Sequence, residues 1–146
     1  MNELFTVPVL LGILYSGVRL ATPYLYAALG EMFAQRSGVV NLGVDGIMLM
    51  GAFAAFFVVS NTGNLLLGVL AAMLVGLLMG LIMSFVSVNL HAEPVISGIA
   101  LYLFGQPLSS LLFKKLSVST RAIEGFPALP IPVLSDLPEI GDVFFK

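Results

Sequence analysis

Arg19, Asn41 and Asp45 have the most chemistry to offer, because each lies in or beside a stretch otherwise free of charge. An isolated cation in an apolar segment is costly in lipid and usually lines a solute or ion path. The alternative for Arg19 is to snorkel toward an interface or to pair with Glu31 or Asp45. Asn41 and Asp45 stand four residues apart, which puts them on one face if the stretch is helical. They then serve either as polar lining at a broken helix or as an N-cap and first-turn acid. The two readings are compatible, since the ends of broken helices are themselves ion and solute sites.

Other chemistry is sparse. His91 and Glu93 share a short stretch before Pro94, with no second ligand at metal spacing, and read as surface residues. No metal site and no cofactor is expected. The chain has no Cys, which removes disulfides and thiolate chemistry. There is no G-x-x-x-x-G-K-[ST], no G-x-S-x-G and no H-E-x-x-H, so neither ATP hydrolysis by a P-loop nor an embedded hydrolase is supported. The formal net charge of −2, without a basic stripe, gives no reason to expect nucleic acid.

The elements that must position these residues are apolar helices. Residues 4–30, 44–60, 65–89 and 95–113 carry only Arg19 and Asp45 as charged side chains. A bilayer core about 30 Å thick takes roughly 20 apolar residues as a helix. The hydrophobic fraction is 59% and charged residues are 10%, against about a quarter in soluble domains, so lipid is the expected solvent. Continuous apolar runs favour helices over the alternating strands of a barrel. The expected fold is therefore an all-α polytopic membrane bundle of about four spans, with a truncated fifth at Val143–Lys146. Residues 116–142, rich in proline, read as a loop outside the membrane. The first run is too long for the core of a cleaved leader and reads as a retained span.

Within these spans, Pro23 is expected to kink or tilt the first. Gly38, Gly43 and Gly46 lie in the stretch 37–46 that leads into the second span, and glycine there permits non-helical backbone and close approach of neighbours. Such irregular backbone is tolerated in membranes only inside protein or beside a watery cavity. In the third span Gly68, Ala72, Gly76, Gly80 and Ser84 recur every four residues, a small-residue stripe for close helix packing. The methionines read as adaptable packing.

The run from Ala21 through Arg36-Ser-Gly-Val-Val-Asn-Leu-Gly-Val-Asp-Gly46 to Met50-Gly-Ala-Phe-Ala-Ala55 resembles the signature of bacterial ABC-importer permeases for nucleosides and simple sugars, in the ribose and branched-chain amino acid permease superfamily. That family shows A-T-P-L-L-x-A-A-L-G, then R-S-G-V-V-N-I-G-L-E-G and M-x-x-G-A. Leu42 and Val44 vary apolar positions, and Asp45 stands where Glu is commoner. Leu90-His-Ala-Glu-Pro-Val-Ile-Ser-Gly-Ile-Ala-Leu101 resembles L-R-A-D-Q-V-V-S-G-I-A-L, with His91 for the usual Arg and Pro94 for the usual Gln. Pro130–Pro138 is similar to the family's loop before its next helix.

The resemblance implies the N-terminal part of a permease subunit in the bacterial cytoplasmic membrane, which catalyses nothing itself. It implies a second permease subunit, two cytoplasmic ABC ATPase subunits, an extracellular binding lipoprotein and membrane lipid as partners. It also implies that residues 37–45 and 90–94 face the cytoplasm. The positive-inside rule points the other way, counting Lys114, Lys115 and Arg121 against Arg36, but over few charges. A structural or accessory membrane protein, with the small stripe serving only association, is the rival reading.

Overall fold

Four helices in chain order are found in this computed structural model, which describes residues 6–116 and 125–127. They are α1 (Val7–Arg36), α2 (Val44–Thr62), α3 (Leu65–Ser84) and α4 (Pro94–Lys115), with a π-helical turn, Phe85–Asn89, extending α3. No strand occurs among the described residues. The expected fifth span and nearly all of the loop 116–142 lie outside them. The chain divides into two units, residues 1–28 with 126–146, and residues 29–125.

In the first unit the described part of α1 presents an almost wholly exposed surface. Pro23 lies within the helix, and the Thr22 hydroxyl donates back to the Val18 carbonyl at 2.9 Å. Arg19, Thr22, Pro23 and three tyrosines dilute its apolar character. At 30 residues, or about 45 Å, it is long enough to cross a bilayer.

The second unit is built on a helical hairpin. Helix α2 ends at Gly63, whose φ of 70° is open to glycine at little cost and whose N–H donates to the Val59 carbonyl at 2.7 Å. Asn64 then caps α3, its side chain accepting from the N–H groups of Leu66 and Leu67. Two residues thus reverse the chain. Asn64→Ala should cost about 1 kcal/mol, seen as a lower melting temperature of the purified protein in detergent.

Small residues set how closely α2 and α3 pack. A Cβ at Gly68 would run into the Val59 side chain and stand 3.2 Å from the Ala55 carbonyl oxygen, and one at Gly51 would meet Ala72. These pairings run in opposite directions along the two helices, so they are antiparallel. Helix α4 pairs with α2 in parallel: Gly43 lies by Gly98, Gly46 by Gly105, and the Phe56 and Phe113 rings are 5.5 Å apart. Met79, Met83 and Leu101 form the core between them, with Val39, Ile47, Met50 and Val75 packed on it.

Most large apolar side chains remain outside. Leu78 is 59% exposed and Leu103 62%. In water a surface of that kind would drive association, whereas lipid is as apolar as leucine and imposes no such penalty. Helices α2, α3 with its π turn, and α4 are each long and apolar enough to cross a bilayer. This is an all-α membrane protein.

Candidate functional site

The irregular stretch between α1 and α2 is held by a chain of hydrogen bonds. Gly38 takes φ 85°, a conformation that side-chain-bearing residues rarely adopt, and turns the backbone out of α1. The Asn41 N–H donates to Oε1 of Glu31 at 2.8 Å, and the same oxygen accepts from Nε2 of Gln35 at 3.2 Å. The Asn41 side-chain oxygen in turn accepts from the Gly43 N–H at 2.8 Å, an Asx turn that delivers the chain into α2. Val39, between these polar anchors, packs on the Met79, Met83 and Leu101 core.

Glycine brings this stretch against α4. A Cβ on Gly98 would stand 2.6 Å from the Leu42 nitrogen and 3.0 Å from that of Gly43. Conversely, a Cβ on Gly43 would stand 2.6 Å from the Gly98 carbonyl oxygen. One turn further, Gly46 abuts Leu101 and Tyr102 backbone, and Gly105 abuts Gly46. These are backbone-to-backbone contacts that no other residue allows without a shift.

Asn41 and Asp45 do not share a helix face. Helix α2 begins at Val44, so Asn41 is outside it, while Asp45 is exposed in its first turn. The capping position is Gly43, with no side-chain cap. Asn41 acts one step earlier, on the Gly43 N–H, because the turn and not the helix claims its side chain. Arg19 lies in the other unit, exposed on α1. With 19 residues, or about 28 Å, α2 is long enough to cross a bilayer unaided, and the irregular stretch stands at the end where it begins. That end is also where α3 finishes and α4 starts.

The small-residue stripe of α3 divides in two. Gly68 and Ala72 meet α2, while Gly76 and Gly80 have nothing within 4 Å of an added Cβ. The helix turns about 100° per residue, so a four-residue repeat advances about 40° each time. From Gly68 to Ser84 the stripe therefore winds about 160° around α3. Burial follows Gly68, Met79 and Met83 instead.

Beyond α3 the π turn, closed by the Leu90 N–H on the Phe85 carbonyl, leads to His91, whose φ is 54° and whose Nδ1 lies 3.2 Å from the Asn89 carbonyl oxygen. Glu93 caps α4 through Ile96 N–H at 3.0 Å, and Pro94 opens the helix. No group of three His, Cys, Asp or Glu able to hold a metal is found among the described residues.

The family described as "Branched-chain amino acid transport system / permease component" matches residues 13–133. This chain belongs to that permease family. Three relatives are similar along most of it. A Haloferax volcanii protein provisionally named as a glucose ABC transporter permease is 37% identical over 92% of this chain. The guanosine ABC transporter permease of Bacillus subtilis is 32% identical over 86%. The nucleoside ABC transporter permease of Lactococcus lactis is 29% identical over 86%. The chain spans 42% of the length of each of these relatives. No solved structure matches it.

Glu31, Gly98 and Gly105 also hold the irregular stretch in place. Glu31 bonds ten residues ahead, a separation no helical period suggests; its only local sign is Gln35 one turn on. Gly98 and Gly105 are seven apart on α4, with Ser109 four further, and all three are buried. That spacing is a small-residue stripe as plain as the one on α3.

Proposed function

We propose that this chain is part of the transmembrane subunit of an ABC importer that moves nucleosides or simple sugars across the cytoplasmic membrane. The observation that carries the reading is the non-helical stretch 38–43, locked by glycines against α4 at the end of membrane-spanning helices. Backbone of that kind persists in a membrane where it lines a solute path or is enclosed by protein. The similarity to glucose, guanosine and nucleoside permeases supports this solute class. Energy comes from a pair of ABC ATPase subunits on separate chains, and solute passes between this subunit and a second permease after delivery by an extracellular binding lipoprotein. Uptake of radiolabelled guanosine and glucose by cells carrying the intact operon, each competed with the other class, tests the reading. Uptake of either, lost on deleting the permease gene, supports it; no uptake of both classes overturns it.

Residues 37–45 and 90–94 face the cytoplasm in this proposal. Because the chain has no native Cys, Ser37→Cys and Lys115→Cys report on opposite ends of the bundle. A membrane-impermeant maleimide should label intact cells at Lys115→Cys and reach Ser37→Cys only after permeabilisation. The reverse pattern would invert the topology.

A further inference from the structure

A notch of about 230 Å³ opens beside the irregular stretch, between it and the end of α3, lined by Ser37, Val39, Asn41, Gly80, Met83 and Ser84 among others. Its chemistry is unusual for this chain. The Asn41 side-chain oxygen is committed to the Gly43 N–H, which fixes the amide orientation and leaves Nδ2 with two donors unused among the described residues. Among the described residues no sealed side-chain nitrogen or oxygen lacks a partner, so the half-buried Asn41 amide keeps some access, and Asn41 lines the notch. The Ser84 hydroxyl has no partner among the described residues, although a helical serine commonly bonds one turn back, as Ser60, Ser97 and Ser110 do here. Ser84 is exposed, so its hydroxyl is free to meet a solute that enters the notch.

The same place is built to stay open. Gly80 contributes no side chain, and a Cβ there would meet nothing within 4 Å. Directly after Ser84 the helix widens into the π turn, a distortion frequent at functional sites. The volume lies below the roughly 300 Å³ at which pockets for whole drug-sized ligands begin, so it fits one ring of a solute.

We propose that this notch is a binding subsite for a hydroxyl-bearing ring of the transported solute at one mouth of the pathway, an inference that rests on the transport reading above. Asn41 Nδ2 donates to a ring hydroxyl or ether oxygen, Ser84 both donates and accepts, and Met83 and Val39 cover the apolar face of the ring. Among the described residues no ionisable side chain lines the notch. One oxygen of the Glu31 carboxylate beside it, Oε1, accepts from both Asn41 N–H and Gln35 Nε2. A phosphate would find its charge uncompensated there, beside a carboxylate of the same sign, which favours solutes without an anionic group.

The test is uptake kinetics in the complete importer, with guanosine or glucose, whichever the parent carries, and its 2′-deoxy or 2-deoxy analogue. Ser84→Ala should raise KM about threefold to tenfold, the worth of one neutral hydrogen bond, with Vmax and membrane abundance held. It should also narrow the preference for the parent solute over one of the analogues. Asn41→Asp keeps the acceptor for Gly43 and loses both donors, and should raise KM likewise. Ser84→Trp fills the notch and should abolish uptake while the subunit still copurifies with its ATPase. Unchanged kinetics in Ser84→Ala together with transport by Ser84→Trp overturn the subsite and leave the transport reading standing. Unchanged kinetics in Ser84→Ala with loss of assembly in Ser84→Trp overturn it in favour of a helix contact. A parent that carries neither solute class removes the transport reading and this inference with it.

Discussion

Gly98→Ala should destabilise the protein by about 3 kcal/mol, near the upper end for overpacking a tight contact. A methyl group there stands 2.6 Å from the Leu42 nitrogen and 3.0 Å from the Gly43 nitrogen. Both are backbone atoms, so no rotamer change relieves the clash; α4 must withdraw or the 38–43 stretch must shift. Withdrawal is opposed at the next crossing, where Gly105 stands against Gly46. Shifting the stretch strains the Asn41 bonds to Glu31 and Gly43. The control is Gly76→Ala, whose methyl meets nothing within 4 Å. Alanine is better than glycine in a helix by up to about 1 kcal/mol, so this variant should be neutral or slightly stabilised. Melting temperatures of the two variants in detergent, with membrane abundance alongside, check the contrast. Coincident melting curves would mean that the glycine crossing does not hold α2 to α4.

The contrast also marks what sequence can convey. The apolar runs specify helices and their solvent, because no other backbone satisfies its own hydrogen bonds in lipid. Gly38 and Gly43 identify by residue type where the backbone departs from helix, whereas Gly46, expected there too, lies within α2 because its lack of a side chain serves the contact with α4. The facing partner is another matter. Gly43 and Gly46 need Gly98 and Gly105, more than fifty residues away, and glycine carries no mark of which chain approaches it. On α3 the four-residue repeat is plain in sequence, yet helical geometry winds it off the face that packs on α2. So Gly68 and Ala72 meet a neighbour, whereas Gly76, Gly80 and Ser84 turn toward the notch or open space. Asp45 conveys first-turn acid correctly. Asn41 reads as its helical partner only if the helix starts earlier than it does.

Glu31→Ala should release the irregular stretch from α1. Its carboxylate oxygen is the acceptor for the half-buried Asn41 N–H at 2.8 Å and for Gln35 Nε2 at 3.2 Å. Hydrogen bonds to charged groups contribute about 1.5–3 kcal/mol, and a donor left without its acceptor loses that in full. The consequence is local rather than global, since Val39 and the glycine contacts still hold the remainder of the stretch on the core. Amide exchange in the peptide covering 39–43 should quicken about tenfold to hundredfold, the kinetic equivalent of that energy, while α3 is unaffected. Glu31→Gln keeps a neutral acceptor of the same shape and should recover roughly half of the protection. Under the proposed function, Glu31→Ala also lowers uptake, because Asn41 is held in place through this bond, and Glu31→Gln restores part of it. Exchange at 39–43 that is indifferent to both substitutions would show that glycine packing alone positions Asn41, and that the bond to Glu31 merely accompanies it.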